Sequence, residues 1–539
     1  MSRATRRTRR LLGAISLTAV STLLLSGCVL IQELQGTTKQ QHSPEELIDA
    51  DLDPSLREFY EQDLEWGACP EEYAVDDKFE CATAKAPMVW DDPDAHDPIE
   101  LALIKLPAKG DSQGALFSNP GGPGGSGIDF VAQTPGFFST KLRENFDLVS
   151  WDPRGVGASS AVKCYDDAGT DEYFYGVPEN AAEMSVEELV EYQRNKEIKY
   201  GAACLKNTGP LLEYVDTQST VRDLDLLRAL VGDPKLNYFG LSYGSDIGAH
   251  YIDTFPERVG RITLDGAVDP TVQGHEVAID QQKGFAESTR AYLKDCLSSE
   301  QCPFEGVGGV DGAVLQIQKL MNDVDATLPK HTDGRVLTSG VMQQAIITAM
   351  YDESAWSILS QAFTQWKQNK DASTFFLLSD VYYGRDTEGH YESNMFDAFT
   401  AINCLDTMPE TDPQKIREQN KQLLDVMLFK NEQLVAAMEE SSEASCANWP
   451  VKSRVESMDP VSGAGADPVL VVATSNDPAT PLVWAEGLAE QLESATLVVY
   501  EGEGHIAYDE DDQCTMDTID SYFVDGTVPD EERVTCGGS

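Results

Sequence analysis

Ser242 stands in a sequence context that is typical of a nucleophile. It is the centre of the pentapeptide 240–244, Gly-Leu-Ser-Tyr-Gly, which follows the apolar run 236–239 and precedes a segment with helical character. The serine is therefore expected at a sharp turn from a strand into a helix, where side chains at the flanking positions would clash with neighbouring elements. The pattern alone arises by chance in roughly one chain of this length in five. Support must come from a base, an acid and an oxyanion loop elsewhere in the chain.

His505 and Asp477 are the candidates for the base and the acid. Asp477 follows the predicted strand 468–474, and His505 follows the predicted strand 496–500. Ser242 also follows a predicted strand, and the carboxyl ends of parallel strands meet at one edge of a sheet. His505 would take the proton of Ser242 and return it to the leaving group, while Asp477 would orient the imidazole. The order serine, aspartate, histidine along the chain is that of α/β hydrolases.

A loop of glycine and proline, residues 119–125, follows the short apolar strand predicted at 114–118. Such a run forms neither helix nor strand, so its backbone N–H groups are bare of side chains. In a chain that later carries a nucleophilic turn, this loop is typical of an oxyanion hole. The alternatives are a plain turn and a phosphate-binding loop, but the Gly-Lys-Ser/Thr ending of the latter is missing.

Two local interactions are predicted near these loops. Asp152 and Arg154 follow the predicted strand 146–151 and are expected to form a structural ion pair that shapes the loop. Thr480 is expected either to hydrogen-bond Asp477 or to cap the helix that begins near residue 483. The sequence leaves both roles of Thr480 open.

The rhythm of strands and helices predicts the domain organisation. Strand and helix patterns alternate over residues 54–269 and again over 461–539, whereas 270–460 is almost entirely helical in pattern. We therefore predict the α/β class, an α/β-hydrolase core in two parts with a helical cap inserted between them. The candidate helices of this cap are 276–297, 311–325, 340–350, 354–369, 413–426 and 430–440.

The first 27 residues are predicted to be a signal peptide. Five arginines precede an apolar run from Leu11 to Leu25, which is too short for a comfortable membrane span. The run ends in Leu-Ser-Gly-Cys28, which resembles a bacterial lipobox and implies lipid attachment to Cys28. An ordinary secretory signal is the alternative, and the sequence does not separate the general from the twin-arginine export route. Residues 28–53 would be a polar tether that holds the protein at the outer face of the cytoplasmic membrane.

The cysteine count agrees with export. Without Cys28, ten of the eleven cysteines remain, an even number of the kind found in oxidising compartments. Their order along the chain suggests five sequence-local disulfides, namely Cys69–Cys81, Cys164–Cys204, Cys296–Cys302, Cys404–Cys446 and Cys514–Cys536. None of these couples has zinc-site spacing, so we expect no metal and no cofactor.

The net charge of the chain limits the classes of partner that the protein is expected to bind. The formal net charge is −51, from 40 Lys and Arg against 91 Asp and Glu. A surface this acidic repels nucleic acid and anionic membrane headgroups. We expect no nucleic-acid partner and membrane contact only through the lipid on Cys28; the sequence does not indicate an oligomeric state.

Eight motifs of the chain together carry a family resemblance. They are N-P-G-G-P-G-G at 119–125, D-P-R-G at 152–155, D-L-D-L-L-R at 223–228, G-L-S-Y-G at 240–244, L-D-G-A-V-D-P at 264–270, A-I-N-C-L-D at 401–406, D-P-A-T-P at 477–481 and G-E-G-H at 502–505. With these motifs the chain resembles the tripeptidyl aminopeptidase-like branch of the prolyl iminopeptidase family of α/β-hydrolase serine peptidases. Pro120 stands where prolyl iminopeptidases usually carry histidine, as in the tripeptidyl branch. The resemblance implies release of short peptides, often tripeptides, from free N-termini. It also implies that the N–H groups of Gly122 and Tyr243 form the oxyanion hole.

An exopeptidase needs a carboxylate that meets the ammonium group of its substrate. The candidates are Asp406, in the predicted cap, Asp265, near the end of the predicted strand 261–266, and Asp269, after that strand. Two other functions stay open. One is a carboxylesterase or lipase on the same fold, because the same triad cleaves esters. The other is a non-catalytic, lipid-anchored binding protein.

Overall fold

The computed structural model describes residues 47–48, 52–73, 75–178, 181–272, 274–455, 457–509 and 512–537. The predicted signal peptide, Cys28 and most of the predicted tether lie outside these residues. Within the described ranges, ten strands form one mixed sheet: β1 Gly67–Ala68, β2 Glu80–Ala86, β3 Ile99–Leu106, β4 Ala115–Asn119, β5 Asp147–Trp151, β6 Leu236–Leu241, β7 Val259–Asp265, β8 Val469–Asn476, β9 Ala495–Glu503 and β10 Arg533–Gly537.

The strand order across the sheet is β1-β2-β3-β5-β4-β6-β7-β8-β9-β10. The pairs from β5 through β10 are all parallel, whereas β3 runs antiparallel to both β2 and β5. The carboxyl ends of β4, β6, β8 and β9 therefore open at the same edge. This edge receives the glycine-rich loop, Ser242, Asp477 and His505.

The helices are α1 Arg57–Tyr60, α2 Gly127–Gln133, α3 Thr140–Asn145, α4 Asp167–Tyr175, α5 Val186–Thr208, α6 Thr217–Leu230, α7 Tyr243–Thr254, α8 Gly274–Cys296, α9 Gly309–Thr327, α10 Ser339–Met350, α11 Trp356–Asn369, α12 Ser373–Tyr383, α13 Met395–Asp406, α14 Pro413–Val426, α15 Glu432–Glu440, α16 Leu482–Gln491 and α17 Gln513–Asp525. Six helices between β7 and β8 match the predicted ones within a few residues. Two others, α12 and α13, are not among the predicted helices. Helix α12 is rich in aromatic residues, which favour strands. Among the described residues, no helix has both the length and the apolar character needed to cross a bilayer.

Helices cover both faces of the sheet. Along β5, Leu148 packs into one core, while Val149 and Trp151 pack into the other, as the alternation of side chains along a strand requires. Helices α6 and α7 cover the face of Trp151, and α2, α3 and α17 cover the face of Leu148. A third core lies mainly among α8 to α12, between β7 and β8 in the chain. The boundaries of a cap at 270 and 460 stay a prediction.

Strand β2 ends at Ala86, because Pro87 has no N–H group with which to continue a ladder. One local prediction is wrong. Arg154 does not pair with Asp152. Instead its guanidinium lies 2.6 and 2.7 Å from the carboxylate of Asp223, and both side chains are fully buried.

Five disulfides join Cys69 to Cys81, Cys164 to Cys204, Cys296 to Cys302, Cys404 to Cys446, and Cys514 to Cys536. These are the pairs expected from the order of cysteines along the chain. Disulfides persist in oxidising compartments, so this set fits an exported protein.

Candidate active site

Ser242 lies at the turn between β6 and α7. Its backbone has φ 55° and ψ −125°, in a region that non-glycine residues rarely adopt. Its N–H donates to the carbonyl of Asp265 at 2.8 Å, and its own carbonyl accepts the N–H of Ser245 at 2.8 Å. A Cβ atom on Gly240 would lie 2.3 Å from the carbonyl oxygen of Gly244. The turn is therefore as tight as the pentapeptide predicts, and it presents Ser242 at the end of the strand.

His505 and Asp477 meet at the ends of β9 and β8. The imidazole Nδ1 lies 2.8 and 2.9 Å from the two oxygens of the Asp477 carboxylate. A carboxylate only accepts, so Nδ1 carries the proton and Nε2 is left as an acceptor. Asp477 is itself buried, and it accepts hydrogen bonds from the N–H groups of Ala479 and Thr480 at 2.9 Å. This arrangement fixes both the carboxylate and the tautomer of His505.

The Thr480 side chain has the first of its two possible roles. Its hydroxyl donates to Asp477 at 2.9 Å and lies 3.3 Å from Nδ1 of His505. Helix α16 begins two residues later, and Pro481 occupies its N-cap position without a side-chain hydrogen bond. Thr480 thus braces the Asp–His pair.

Opposing effects act on the pKa of His505. Burial disfavours the imidazolium and lowers the pKa, but the charge and hydrogen bond of Asp477, with the charge of Asp265, outweigh burial. The pKa of His505 therefore lies above its ordinary value of 6.5. Its backbone N–H donates to the carbonyl of Tyr351 at 2.9 Å, and the Tyr351 ring meets the imidazole edge-on at 5.4 Å.

The glycine-rich loop after β4 lies directly against the Ser242 turn. A Cβ atom on Gly121 would lie 2.8 Å from Cβ of Ser242 and 2.9 Å from the backbone nitrogen of Tyr243. Only glycine can occupy position 121, because its φ is also +91°. Gly122 and Tyr243 both line the cavity at Ser242, and neither N–H group donates to any acceptor in the described part of the chain. Two backbone donors are thus available beside Ser242.

Ser242 and His505 line a cavity of about 1220 Å³. The sheet edge forms its floor, and residues from α8, α10, α13 and α14 form much of its wall. Helix α13 lies close over the glycine-rich loop, since a Cβ atom on Gly124 would lie 2.5 Å from the carbonyl oxygen of Met395. The cavity is large enough for a short peptide rather than for a folded protein.

Comparison with known proteins agrees with this geometry. Residues 114–307 match the family described as "alpha/beta hydrolase fold", and residues 403–536 match the family described as "TAP-like protein". Serine protease Hip1 of Mycobacterium tuberculosis is 34% identical over 469 residues, which cover 83% of this chain and 86% of that protein. The chain belongs to the TAP-like branch of the α/β-hydrolase family. It is a serine hydrolase of the peptidase type.

Two other relatives show the range of names within the family. Carboxylesterase B of Mycobacterium tuberculosis is 34% identical over 472 residues, 86% of this chain and 88% of that protein. Tripeptidyl aminopeptidase of Streptomyces lividans is 27% identical over 483 residues, 88% of this chain and 86% of that protein. Each of these similarities spans nearly the whole chain.

Asp406 is one of the three residues that were predicted to bind the substrate amine. It is the last residue of α13, and it lines the cavity. Its carboxylate accepts the N–H of Thr217 at 3.0 Å and the Thr217 hydroxyl at 2.7 Å. That hydroxyl also lies 2.5 Å from the phenol oxygen of Tyr243, so Asp406 is linked to the residue after Ser242. Burial raises the pKa of Asp406 to about 8 despite the hydrogen bonds from Thr217.

The other two predicted carboxylates differ from Asp406. Asp269 lines the cavity, but Oδ1 already accepts the N–H and hydroxyl of Thr271 and the side-chain amide of Gln491. Asp265 is fully buried, and its carboxylate accepts the N–H groups of Ala507 and Tyr508. Asp265 is therefore not available to a substrate ammonium group, and its prediction as an amine-binding residue is wrong.

Sequence reasoning missed Asp246. It lies one helical turn after Ser242 and lines the cavity with Tyr243 and His250, all on one face of α7. His250 Nε2 lies 3.6 Å from its carboxylate. Burial raises the pKa of Asp246 although His250 opposes the shift. The sequence signal for these residues was their helical spacing, at positions 243, 246 and 250. That spacing indicates a cavity wall only when the face of α7 that meets the cavity is known.

Proposed function

We propose that this protein is an exported serine exopeptidase that releases short peptides, mainly tripeptides, from free N-termini. The observation that carries the proposal is one cavity that holds Ser242 and His505 together with the carboxylate of Asp406. The names of two relatives, a serine protease and a tripeptidyl aminopeptidase, support it.

The reaction would begin with proton transfer from Ser242 to Nε2 of His505. Ser242 Oγ attacks the scissile carbonyl carbon, and the N–H groups of Gly122 and Tyr243 stabilise the oxyanion. His505 then gives its proton to the leaving amine, and an acyl-enzyme on Ser242 remains. Water, deprotonated by His505, hydrolyses this ester and frees the N-terminal peptide. Asp477 stabilises the imidazolium at both stages, and its hydrogen bonds from residues 479 and 480 hold the carboxylate in place.

Asp406 would select the free N-terminus. Its carboxylate keeps lone pairs beyond those used by Thr217, and it lines the cavity. A substrate ammonium group at this carboxylate forms a charge-assisted hydrogen bond. The distance from Ser242 to Asp406 would then set how many residues are removed.

Residues 270–460 would act as a cap. Residues 1–27 would be the signal peptide, and residues 28–53 would be the tether. The cap limits access to unfolded chain ends, because helices α8, α10, α13 and α14 all contribute residues to the lining of the cavity. Signal cleavage before Cys28 and lipid attachment to it would place the enzyme at the outer face of the cytoplasmic membrane. The five disulfides support an oxidising destination.

An esterase is the second candidate, because the relative named carboxylesterase B is as similar as the relative named serine protease. A peptide pool with free N-termini, and the same pool with acetylated N-termini, separates the two functions when the products are identified by mass spectrometry. The proposal expects short N-terminal fragments from the free pool alone. Equal cleavage of both pools would contradict it, and cleavage of esters without peptides would establish the esterase.

The matched control for this experiment is Ser242→Ala. We expect a fluorophosphonate to label the wild-type enzyme and not this variant, and peptide release to be lost with labelling. An unlabelled wild-type protein that is properly folded would favour the non-catalytic binding protein instead.

A further inference from the structure

Asp265, the last residue of β7, touches the turns of both proposed catalytic partners. Its backbone carbonyl accepts the N–H of Ser242 at 2.8 Å. Its carboxylate accepts the N–H of Ala507 at 3.0 Å and the N–H of Tyr508 at 2.9 Å. These two donors follow His505 by two and three residues. One fully buried residue therefore holds the nucleophile turn with its main chain and the histidine turn with its side chain.

The histidine turn needs such support. Ile506, directly after His505, has φ +79°, a left-handed conformation that is costly for a β-branched residue. Contacts with neighbouring residues must therefore hold this backbone conformation in place. The Tyr351 carbonyl accepts the N–H of His505, and the Asp477 carboxylate accepts the N–H of Ile506 at 3.4 Å. The Asp265 carboxylate accepts the N–H groups of the two residues that follow, Ala507 and Tyr508.

The position of Asp265 within the sheet is also well fixed. It pairs in register with Leu241 on β6 and with Val472 on β8. Those strands lead to Ser242 and to Asp477, respectively. Asp265 thus lies between the strands that deliver the nucleophile and the acid, and it reaches the turn that delivers the base.

We propose that Asp265 is a positioning residue for the hydrolytic reaction. It fixes the position of the Ser242 turn relative to the His505 turn. The inference rests on the catalytic roles proposed above for Ser242 and His505. Asp265 acts through these residues and does not touch the substrate.

The charge of Asp265 offers a readout beyond structure. The charged and titratable groups around the His505 imidazole are Asp477, Asp265 and the Tyr351 phenol ring. Burial raises the pKa of Asp265 to about 6, so its carboxylate is ionised above that pH and there favours the imidazolium. Its removal should therefore make His505 easier to deprotonate. A merely structural defect would lower activity without moving this titration.

The test is Asp265→Asn, compared with wild type on a small chromogenic ester and a fluorophosphonate. Asparagine keeps the size but loses the charge and one acceptor oxygen. We expect kcat to fall by about 10- to 100-fold, because a small misplacement of catalytic groups has such an effect. KM should change by less than kcat, and the acid limb of the kcat/KM profile should move to lower pH.

Asp520→Asn is the matched control. Asp520 is also buried and accepts the Tyr508 phenol at 2.8 Å, so it contacts the same segment through a side chain and not through the backbone N–H groups that Asp265 holds. It should lower stability while leaving the acid limb in place. Wild-type-like kcat and an unmoved acid limb in Asp265→Asn would overturn the inference.

If Asp265→Asn does not fold, Asp265→Glu provides the second measurement. Glutamate keeps the charge and both oxygens but displaces them by one methylene group. We expect a lower kcat with an acid limb at the wild-type pH, and unchanged kcat would overturn the inference. Failure of the proposed triad is distinguishable, because wild-type protein would then resist the fluorophosphonate.

Discussion

The backbone carbonyl of Tyr351 accepts a hydrogen bond from the N–H of His505 at 2.9 Å. Tyr351 follows α10, in the helical stretch between β7 and β8, whereas His505 follows a strand of the sheet. The aromatic ring of Tyr351 also contacts the edge of the imidazole. The helical stretch therefore helps to hold the imidazole as well as to build the wall of the cavity.

The pH dependence of catalysis should report on the His505 environment. His505 must be neutral to accept the Ser242 proton, and its pKa lies above 6.5. Activity should therefore be full above this raised pKa and fall as the pH drops through it. The measurement is kcat/KM against pH with a small ester that carries no amine. An acid limb centred below pH 6.5 would contradict the role of Asp477 in raising the pKa.

Thr480→Val should lower kcat by about 10-fold, because a buried hydrogen bond to a charged group is lost. The Thr480 hydroxyl donates to Asp477 at 2.9 Å, and valine keeps the shape without the donor. Thr480→Ser retains the hydroxyl and should keep most of the activity. Steady-state kinetics of the two variants on one ester checks this prediction, and equal rates for valine and serine would refute it.

Asp406→Asn should raise KM for peptides with a free N-terminus by about 10- to 100-fold, because a charge-assisted hydrogen bond to the ammonium group is lost. Ester substrates without an amine should be unaffected. Asp269→Asn is the comparison, and it should have a smaller effect because Thr271 and Gln491 already bond to that carboxylate. A larger rise in KM for Asp269→Asn than for Asp406→Asn would instead assign amine binding to Asp269.

The pH dependence of KM gives a separate test of Asp406. Binding needs an ionised Asp406, whose pKa is raised to about 8, and a protonated substrate amine, whose pKa is ordinarily about 8. KM for free peptides should therefore pass through a minimum near pH 8 and rise on both sides. Acetylated or amine-free substrates should lack this minimum. A flat KM profile for free peptides would argue against the ion pair.

The stability of Asp406→Asn should exceed that of wild type at high pH. The folded-state pKa of Asp406 is about 8, above the unfolded value of 3.8. Ionising this carboxylate therefore costs folding free energy progressively as the pH rises from 4 towards 8. Thermal unfolding should show a Tm gain of about 2 °C or more at pH 9. The gain should vanish at pH 4, and a gain independent of pH would contradict this cause.

Much of the site could be predicted from the sequence because it is built from local turns. Ser242, Asp477 and His505 each follow a strand directly, and a parallel sheet brings such turns to one edge. The glycine-rich loop could also be placed, because its composition excludes helix and strand. The cysteine pairs follow in the order of the chain, so their local pairing could be guessed.

The rest depends on contacts between distant elements, which no local pattern encodes. Asp265 looked like a residue for the substrate, but β7 lies between β6 and β8 and buries it against the His505 turn. Arg154 lies two residues from Asp152, yet its partner is Asp223 on α6. No sequence motif marks Tyr351, because it contacts His505 through a backbone carbonyl, which every residue type carries.

The strand order has a consequence for biosynthesis. Strand β7 is made long before β8 and β9, although β8 pairs directly with β7 and β9 pairs with β8. A growing chain thus carries Ser242 and the glycine-rich loop while it still lacks the acid and the base. Hydrolytic competence arises only when β8 and β9 have been synthesised and have docked beside β7. A truncated product that ends before residue 505 would be inert towards peptides.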